Sequence, residues 1–259
     1  MTINFHDPDN KDSYATRKPD MSWYDTIKKM VDLQNIHDAA DVGCGGGIYA
    51  RALADMGIAA ITGIDSSKVM IEEAKKRSSD YKQIDFQVGS AYDTKLPNRS
   101  VDFLLERALI HHLEDLSSCF TEAFRILKHR GSILIQDRTP SDCLLEGSHE
   151  HIRGYFFSKF PHFVTLEMKR RYTSDIVVKA LKAAGFTAIQ QATLWETRKK
   201  YPSKDGLLAD IRARQGRSIL HELTDKEIEQ LIHFMDVKLN KNGPIVDKDR
   251  WTIWMATKC

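Results

Sequence analysis

The sequence lacks several features that would point to a particular class of protein. Its four cysteines, Cys44, Cys119, Cys143 and Cys259, show no metal-binding or redox spacing, so neither a zinc site nor a disulfide framework is predicted. The net charge of +2 is too small to require nucleic acid or an anionic membrane as a partner. No apolar run is long enough to span a bilayer, and the first residues lack a signal-peptide pattern. Free thiols without a targeting segment predict a cytoplasmic protein.

The composition is that of an ordinary globular protein. Hydrophobic residues make up 42% of the 259 positions and charged residues 29%, both within the usual range. A chain of this length buries a sizeable core as one large domain, with or without a small appendage. The sequence does not decide between a monomer and a homodimer.

The most informative stretch is a glycine-rich run, DVGCGGG, over residues 41–47. It follows a short apolar run and precedes residues with helical spacing, so it predicts a strand, a turn and a helix. Glycine lets the backbone turn with positive φ and approach a ligand closely, and the helix start offers unpaired N–H groups. A second strand-like run ends in Asp65, a carboxylate able to accept both hydrogen bonds of a ribose diol. The unit predicts a site for a nucleoside with a polar tail.

The run differs from a dinucleotide-binding fingerprint, which would require glycine or alanine at position 48, where Ile48 stands. With the GIDSS segment over residues 63–67, it instead resembles the class I S-adenosylmethionine-dependent methyltransferases, in particular the broad small-molecule group. The resemblance covers residues 38–138 well and the remainder in outline. It implies S-adenosylmethionine as the cofactor, S-adenosylhomocysteine as its product and a small-molecule methyl acceptor as the partner.

The resemblance implies cofactor contacts at the ends of the first, second and fourth strands. It assigns Asp41, Gly43 and Gly45 to the methionyl part of the cofactor. Asp65 is assigned to the ribose, and backbone carbonyls near Glu106 to the ammonium group. The acid two residues before the first glycine is part of the pattern that carries the resemblance.

Adenine contacts are implied in two further segments. Ser66 and Met70 follow the ribose acid and would lie beside the ring, although methionine is also a common core residue. Ser90 stands where related sequences usually have an acid that accepts from the adenine amino group. A hydroxyl accepts more weakly, so the tyrosine or aspartate that follows can share this role. Ala91 would contribute its backbone N–H.

The N-terminal segment is expected to fold over the cofactor. Trp23 is interpreted as covering the sheet edge, whereas for Tyr14 and Arg17 a structural role and a cofactor contact stay equally open. Arg17 would suit the methionyl carboxylate, which a guanidinium binds in a two-point fork. A helix is predicted from Ser22, which can cap it. The complete set of expected cofactor-binding residues is Tyr14, Arg17, Asp41, Gly43, Cys44, Gly45, Gly47, Asp65, Ser66, Met70, Ser90, Ala91 and Glu106.

The fourth strand is followed by a histidine pair, His111 and His112, which are the candidate catalytic residues. At this edge of the sheet a histidine can act as a general base on the acceptor. The alternative is that the pair only packs and orients a loop. A second pair, His149 and His151, has no carboxylate or cysteine placed to complete a metal site, so no metal is expected.

The predicted fold is α/β, a three-layer, doubly wound, Rossmann-like domain. Its seven-stranded sheet is mostly parallel, and the last strand is antiparallel. We divide the chain into an N-terminal arm and helix (1–37), the methyltransferase core (38–197), a helical insertion or lid (198–248) and the last core strand (249–259). Residues 138–172 read poorly as regular structure and leave the strand end where a substrate pocket would lie.

Two other functions stay open on the sequence alone. A methyltransferase acting on RNA or protein would use the basic segments 169–171 and 198–200, although no RNA-binding module is visible and nucleic acid is not the expected partner. A non-catalytic protein that binds the cofactor is the second alternative. The arginines and histidine at 212, 214, 217 and 221 are mostly interpreted as a solvated face, with one or two left open for an anionic substrate.

Overall fold

The computed structural model describes residues 19–239 and 243–259, and in these residues a seven-stranded sheet forms the centre of the molecule. The strands are β1 (Asp38–Val42), β2 (Ala60–Asp65), β3 (Ile84–Val88), β4 (Val101–Arg107), β5 (Leu127–Asp137), β6 (Phe186–Tyr201) and β7 (Ile245–Lys258). Their order is β3-β2-β1-β4-β5-β7-β6. The strands β1 to β5 pair in parallel, and β7 is antiparallel to both β5 and β6. The predicted sheet, with its antiparallel last strand, is confirmed.

Helices cover both faces of this sheet. The α-helices of the described residues are α1 (Met21–Met30), α2 (Ile48–Asp55), α3 (Lys68–Arg77), α4 (Leu116–Ile126), α5 (Pro140–Cys143), α6 (Gly154–Lys159), α7 (His162–Arg170), α8 (Ser174–Ala183), α9 (Lys204–Arg212) and α10 (Asp225–Lys238). One apolar core unites α1, α2 and α3 with the sheet, and another unites α4 and α8 with it. The sheet thus lies between two layers of helices, with one apolar core on each of its faces.

Alternation along the strands explains why both faces are apolar. In β4, Phe103 and Leu105 enter the core beneath α1 to α3, whereas Leu104 between them enters the core beneath α4 and α8. Successive side chains of a strand point to opposite faces, so a strand covered on both sides reads as a continuous apolar run. This is why the central strands were recognisable in the sequence.

The helix α1 is capped two residues earlier than predicted. Its N-cap is Asp20, whose side chain accepts from the amide of Ser22, so Ser22 is inside the helix. Trp23 is fully buried against the sheet, and its indole N–H donates to Gln136 of β5 (2.9 Å). Trp23 is therefore a core residue, in line with the packing interpretation.

Residues 138–172 differ from expectation because they contain three short helices, α5, α6 and α7. They share a third apolar core with α9 and α10, which contains the aromatic side chains of residues 155–163. We call α5 to α7 together with residues 202–239 the helical cover. The insertion is shorter than predicted at both ends, because β6 extends to Tyr201 and β7 already begins at Ile245.

Candidate active site

The expected site residues meet at one edge of the sheet, beyond the carboxyl ends of β1 and β4. The strand order reverses between these two neighbours, with β2 and β3 on one side and β5 on the other. The register sets Val42 of β1 beside Glu106 of β4. Ligands of open α/β sheets bind at such a switch point because the loops that follow the two strands diverge there.

A tight glycine loop connects β1 to α2. The amides of Gly43 and Cys44 both donate to the carbonyl of Ile64 at the end of β2, over 2.8 and 3.0 Å. Gly43 has a φ of 75°, and a Cβ there would lie 2.8 Å from Cδ1 of Leu109, in the loop after β4. Glycine at this position therefore allows both the turn and the close approach of the two loops.

Asp65 fastens this loop to the tip of β2. Its Oδ2 accepts from the amide of Gly45 and its Oδ1 from the amide of Ser67, both over 2.9 Å. The residue is half-buried. Each carboxylate oxygen has a second acceptor position, so Asp65 can hold the loop and accept from a ribose diol at the same time.

Two buried carboxyl groups, Asp41 and Glu106, each keep one oxygen without a hydrogen-bond partner in the described part of the chain: Oδ2 of Asp41 and Oε2 of Glu106. Burial raises the pKa of each to about 7, and in Asp41 the nearby charge of Asp65 adds to the effect. A buried acceptor without a donor is costly and uncommon. An ammonium group would supply the missing donor, so this environment fits the methionyl end of the expected cofactor.

The expected adenine contacts have unequal environments. Met70 is buried and faces the loop, with its Cε 3.4 Å from where a Cβ at Gly45 would be. Ser66 is exposed at the tip of β2. The Ser90 oxygen accepts from the amides two and three residues later (3.2 and 3.1 Å), so its hydroxyl proton is the group left for a ligand. Ala91 is buried in the core beneath α4.

His111 forms a close pair with Asp137, the last residue of β5. Its Nδ1 lies 2.8 and 2.9 Å from the two carboxylate oxygens, and its amide donates to Oδ2 (3.2 Å). Burial by itself would raise the pKa of Asp137, but His111 and Arg171 hold it well below the usual range. An ionised carboxylate at Nδ1 favours the tautomer with its proton there, which leaves Nε2 as a proton acceptor.

His112 has a different environment from His111. It is exposed, and its ring lies 4.0 Å from the His111 ring, centroid to centroid. Partial desolvation and the neighbouring His111 lower the pKa of His112, although solvent reaches the side chain. His111 has in Asp137 an ionised carboxylate that orients its ring, as the base of a catalytic pair requires.

A buried ionic network continues from Asp137 into the helical cover. Arg171 Nη1 lies 3.3 Å from Asp137 Oδ1, and Arg171 Nε lies 2.6 Å from Glu167 of α7. Glu167 also faces Arg153 (3.4 Å). Burial alone would raise the pKa of Glu167, but Arg153 and Arg171 lower it to about 2. Sequence analysis missed Asp137 and Glu167, although an acid at the carboxyl end of a central strand was a usable signal.

The remaining expected residues divide into two groups. Tyr14 and Arg17 lie outside the described residues and stay predictions. Cys44 is buried, with its Sγ 3.6 Å from the carbonyl of Gly45, and its own amide and carbonyl are bonded to Ile64 and Gly47, so it shapes the loop from within. Gly47 is the N-cap of α2 with a φ of 74°, which continues the turn that Gly43 begins.

Two other kinds of site were sought in residues 19–239 and 243–259. No three histidine, cysteine, aspartate or glutamate side chains in these ranges are grouped as metal ligands. His151 is buried, and its Nδ1 lies 3.2 Å from the carbonyl of Glu146. None of the described helices combines the length and the apolar character that crossing a membrane requires.

Comparison with known proteins identifies related chains. YcgJ, an uncharacterised methyltransferase of Bacillus subtilis, is 26% identical over 221 residues, which cover 83% of this chain and 81% of YcgJ. A candidate methyltransferase from an antibiotic biosynthesis pathway of Anabaena variabilis superposes with a TM-score of 0.68 at 20% identity, over 92% of this chain and 98% of that one.

A third similar structure is phosphoethanolamine N-methyltransferase 2 of Haemonchus contortus, in complex with phosphomonomethylethanolamine and S-adenosylhomocysteine. The TM-score is 0.61 at 17% identity, over 99% of this chain and 61% of that one. At such identities the solved structures establish the fold alone. The chain spans about half the length of several curated relatives that it matches.

The family comparison agrees with the geometry. Residues 40–135 match the family model described as "Methyltransferase domain". This range begins in β1, includes the glycine loop and Asp65, and ends in β5. It therefore contains the glycine loop, Asp65 and His111. Over residues 40–135 the chain carries a methyltransferase domain, and its seven-stranded sheet has the fold of the methyltransferase structures on which it superposes.

Proposed function

We propose that this protein transfers a methyl group from S-adenosylmethionine to a small organic acceptor and releases S-adenosylhomocysteine. The observation that carries the proposal is the buried Oδ2 of Asp41, which has no hydrogen-bond partner among the described residues. It belongs to the strand that enters the glycine loop, and Asp65 fastens that same loop. The ammonium group of the methionyl end would donate to Asp41, and the ribose hydroxyls would donate to Asp65.

The residues of the site have three tasks in such a reaction. Bound S-adenosylmethionine supplies a sulfonium methyl that is already activated for displacement. Asp41, Asp65 and the glycine loop hold and orient the cofactor, and the helical cover excludes water from the acceptor. His111 takes the acceptor's proton where the attacking atom carries one of high pKa, and Asp137 keeps its ring oriented for this.

Two observations support a small acceptor over RNA or protein. The helical cover includes the segment that follows β5, and its helices pack on an apolar core of their own. The arginines of both basic segments are engaged within the fold: Arg171 pairs with Glu167 (2.6 Å), Arg170 with Glu222 (3.2 Å) and Arg198 with Asp247 (3.1 Å). The similarity to an N-methyltransferase whose complex contains phosphomonomethylethanolamine is in keeping with this class of acceptor.

Calorimetry with S-adenosylmethionine tests the cofactor half of the proposal. Asp65→Ala removes the ribose acceptor and should weaken binding by about 2–3 kcal/mol, the usual range for charge-assisted hydrogen bonds. Asp85→Ala is the matched control, because Asp85 is an exposed aspartate on the neighbouring strand β3. An unchanged dissociation constant for Asp65→Ala would refute the ribose assignment.

A screen of metabolite pools with isotope-labelled S-adenosylmethionine tests the acceptor half. We expect a labelled small-molecule product together with S-adenosylhomocysteine. Cofactor binding without a labelled product in any extract would favour the non-catalytic alternative. Label found only in macromolecules, with substrate binding that weakens steeply as salt increases, would favour RNA or protein as the acceptor.

A further inference from the structure

Three largely buried arginines converge on one carboxylate of β7, next to the end of β5. Arg138 follows β5, Arg153 precedes α6, and Arg217 precedes a 3₁₀ turn over residues 218–222. Each faces the carboxylate of Asp249 in β7, at 3.3 Å from Arg138, 3.5 Å from Arg217 and 3.7 Å from Arg153. We call Arg138, Arg153 and Arg217 the arginine cluster. Through Asp249 the cluster joins the sheet to two parts of the helical cover, the segment of α6 and the segment between α9 and α10.

Positive charge is in excess around this cluster. The connected network contains five guanidinium groups and four carboxylates, and all of these side chains are largely or fully buried. The guanidinium groups are those of Arg138, Arg153, Arg171, Arg198 and Arg217; the carboxylates are those of Asp137, Glu167, Asp247 and Asp249. Burial and the neighbouring Arg153 lower the pKa of Arg138 to about 10, as expected for crowded cations. Buried charge in excess calls for a counter-ion.

Several N–H groups of the cluster also lack acceptors. Nε of Arg138, Nε of Arg153 and both Nε and Nη1 of Arg217 are buried and have no hydrogen-bond partner in residues 19–239 and 243–259. In the same network Oδ1 of Asp247 and Oδ1 of Asp249 also lack a donor, so the free nitrogens outnumber the free oxygens. Their contacts with Asp249 are ion pairs longer than good charge-assisted hydrogen bonds. Aromatic rings restrain two of the guanidinium planes, since Arg138 stacks on Trp251 (4.7 Å) and Arg217 on Phe156 (5.4 Å). The free donors are therefore held in fixed directions.

We propose that the arginine cluster binds an oxyanion of the methyl acceptor, a carboxylate, phosphate or sulfate group, so that the acceptor is an anionic small molecule. This inference rests on the proposed function. Oxyanions present several acceptors to guanidinium forks, which matches the surplus of donors and of charge.

The position of the cluster suits an anchor at the far end of the acceptor. Arg138 comes directly after Asp137, which binds His111. The strand β5 lies one place from β4 and two places from β1, the strand of the glycine loop. Neighbouring strands are about 4.8 Å apart, so the oxyanion and the methylated atom would be separated by about 5–10 Å. An acceptor of that length would reach from the cluster to Nε2 of His111.

Oxyanion binding to the full chain tests this directly. Thermal shift and calorimetry with sodium phosphate, sulfate and acetate should detect binding to the wild type. Arg217→Gln and Arg138→Gln should each weaken it by about 10- to 100-fold, the loss expected for a charge-assisted contact. Asp249→Asn should have the opposite effect and tighten it, because the competing carboxylate is removed. If Arg217→Gln does not fold, Arg138→Gln alone decides the test, because the Arg138 side chain is less deeply buried.

Two arginine controls separate recognition from a general loss of charge. Arg214→Gln removes a half-buried guanidinium of the cover that lies outside the network and is already bonded to Asp225 and to the carbonyls of Leu220 and Leu223. Arg212→Gln removes an exposed one that pairs with Glu229. Neither should change the oxyanion affinity by more than about twofold. No oxyanion binding by the wild type, or equal losses in all four arginine variants, would overturn the proposal.

Acceptor pairs then distinguish the source of the oxyanion. Methyl transfer is compared between a phosphorylated amino alcohol and the free amino alcohol, and between an aromatic carboxylic acid and its amide. Preference for the charged member of either pair, lost in Arg138→Gln, supports the proposal and identifies the group. Equal use of charged and neutral acceptors overturns it. Absence of S-adenosylmethionine binding in the same samples would refute the proposed function instead.

Discussion

The buried carboxyl groups of this site differ in charge state because their partners differ. Asp41, Glu106 and Asp137 are all buried. Burial raises the pKa of Asp41 and of Glu106 to about 7, whereas His111 and Arg171 hold the pKa of Asp137 well below its usual range. A carboxyl group without a cation is therefore poised to ionise when a cation arrives, and one with cations stays ionised as a fixed orienting charge.

This difference predicts a pH dependence of cofactor binding. The ammonium group of S-adenosylmethionine requires ionised Asp41, and ionisation increases as the pH rises through about 7. Affinity should therefore increase by about fivefold to tenfold from pH 6 to pH 7.5, measured by calorimetry in buffers of equal ionic strength. Asp41→Asn should bind weakly and almost independently of pH. The same pH slope in Asp41→Asn would show that another group is responsible.

The Asp137–His111 pair predicts a selective loss of turnover. With an acceptor that must lose a proton, His111→Ala should lower turnover by about 10²- to 10⁴-fold, the usual contribution of a general base. Asp137→Asn should lower it as well, because the carboxamide does not hold the ring as an ionised acid does. S-adenosylmethionine affinity should stay unchanged in both. His112→Ala is the control. An equal loss of turnover in this variant would contradict the choice of His111 as the base.

The residues of the site that were predicted from the sequence are those that lie close together along the chain. Asp41, the loop glycines and Asp65 belong to one strand–turn–helix–strand unit, so their spacing carried the information. Asp249 faces Arg138 and Arg153 from a strand about a hundred residues away. No local periodicity indicates such a contact, because only the pairing of β5 with β7 brings the two segments together.

The helical cover illustrates the same limit at the scale of whole elements. Its helices α5 and α6 have four and six residues, too few for a periodic pattern to stand out. Helices this short are marginal alone and depend on tertiary packing. Here α6 contributes Tyr155, Phe156 and Phe157 to the third core. The longer α4 and α10, by contrast, each present an apolar face over several turns, a pattern that is readable in the sequence.

A cavity in the cover should impair acceptor binding more than cofactor binding. Leu231 of α10 is fully buried in the third core, so Leu231→Ala should cost about 2–5 kcal/mol of unfolding free energy. The KM of the acceptor should rise while the S-adenosylmethionine affinity changes little, because the glycine loop belongs to another core. Val237→Ala on the same helix is the control, since Val237 is exposed. Equal losses of both affinities would mean that the cover also forms the cofactor site.

Across the whole molecule, the cover and the core are continuous rather than separate units. The strand β7 pairs with β6 from Tyr201 and Ile245 at the cover to Phe186 and Lys258 in the sheet. The buried ionic network crosses the same boundary through Arg153, Glu167 and Arg217. If the cover separated from the core, the charges of this network would lose their partners. A buried charge without its partner is strongly destabilising.

We therefore expect the chain to unfold in one transition. The four tryptophans lie in α1, β6 and β7, so their fluorescence reports on the sheet, whereas far-UV circular dichroism also reports on the cover helices. The two signals should coincide on heating. S-adenosylmethionine at 100 times its dissociation constant should stabilise the fold by about 2.7 kcal/mol and shift both signals together. Helical signal lost before the fluorescence changes, with the ligand shifting only the later step, would mean that the cover folds independently and that the buried arginines do not bind it to the sheet.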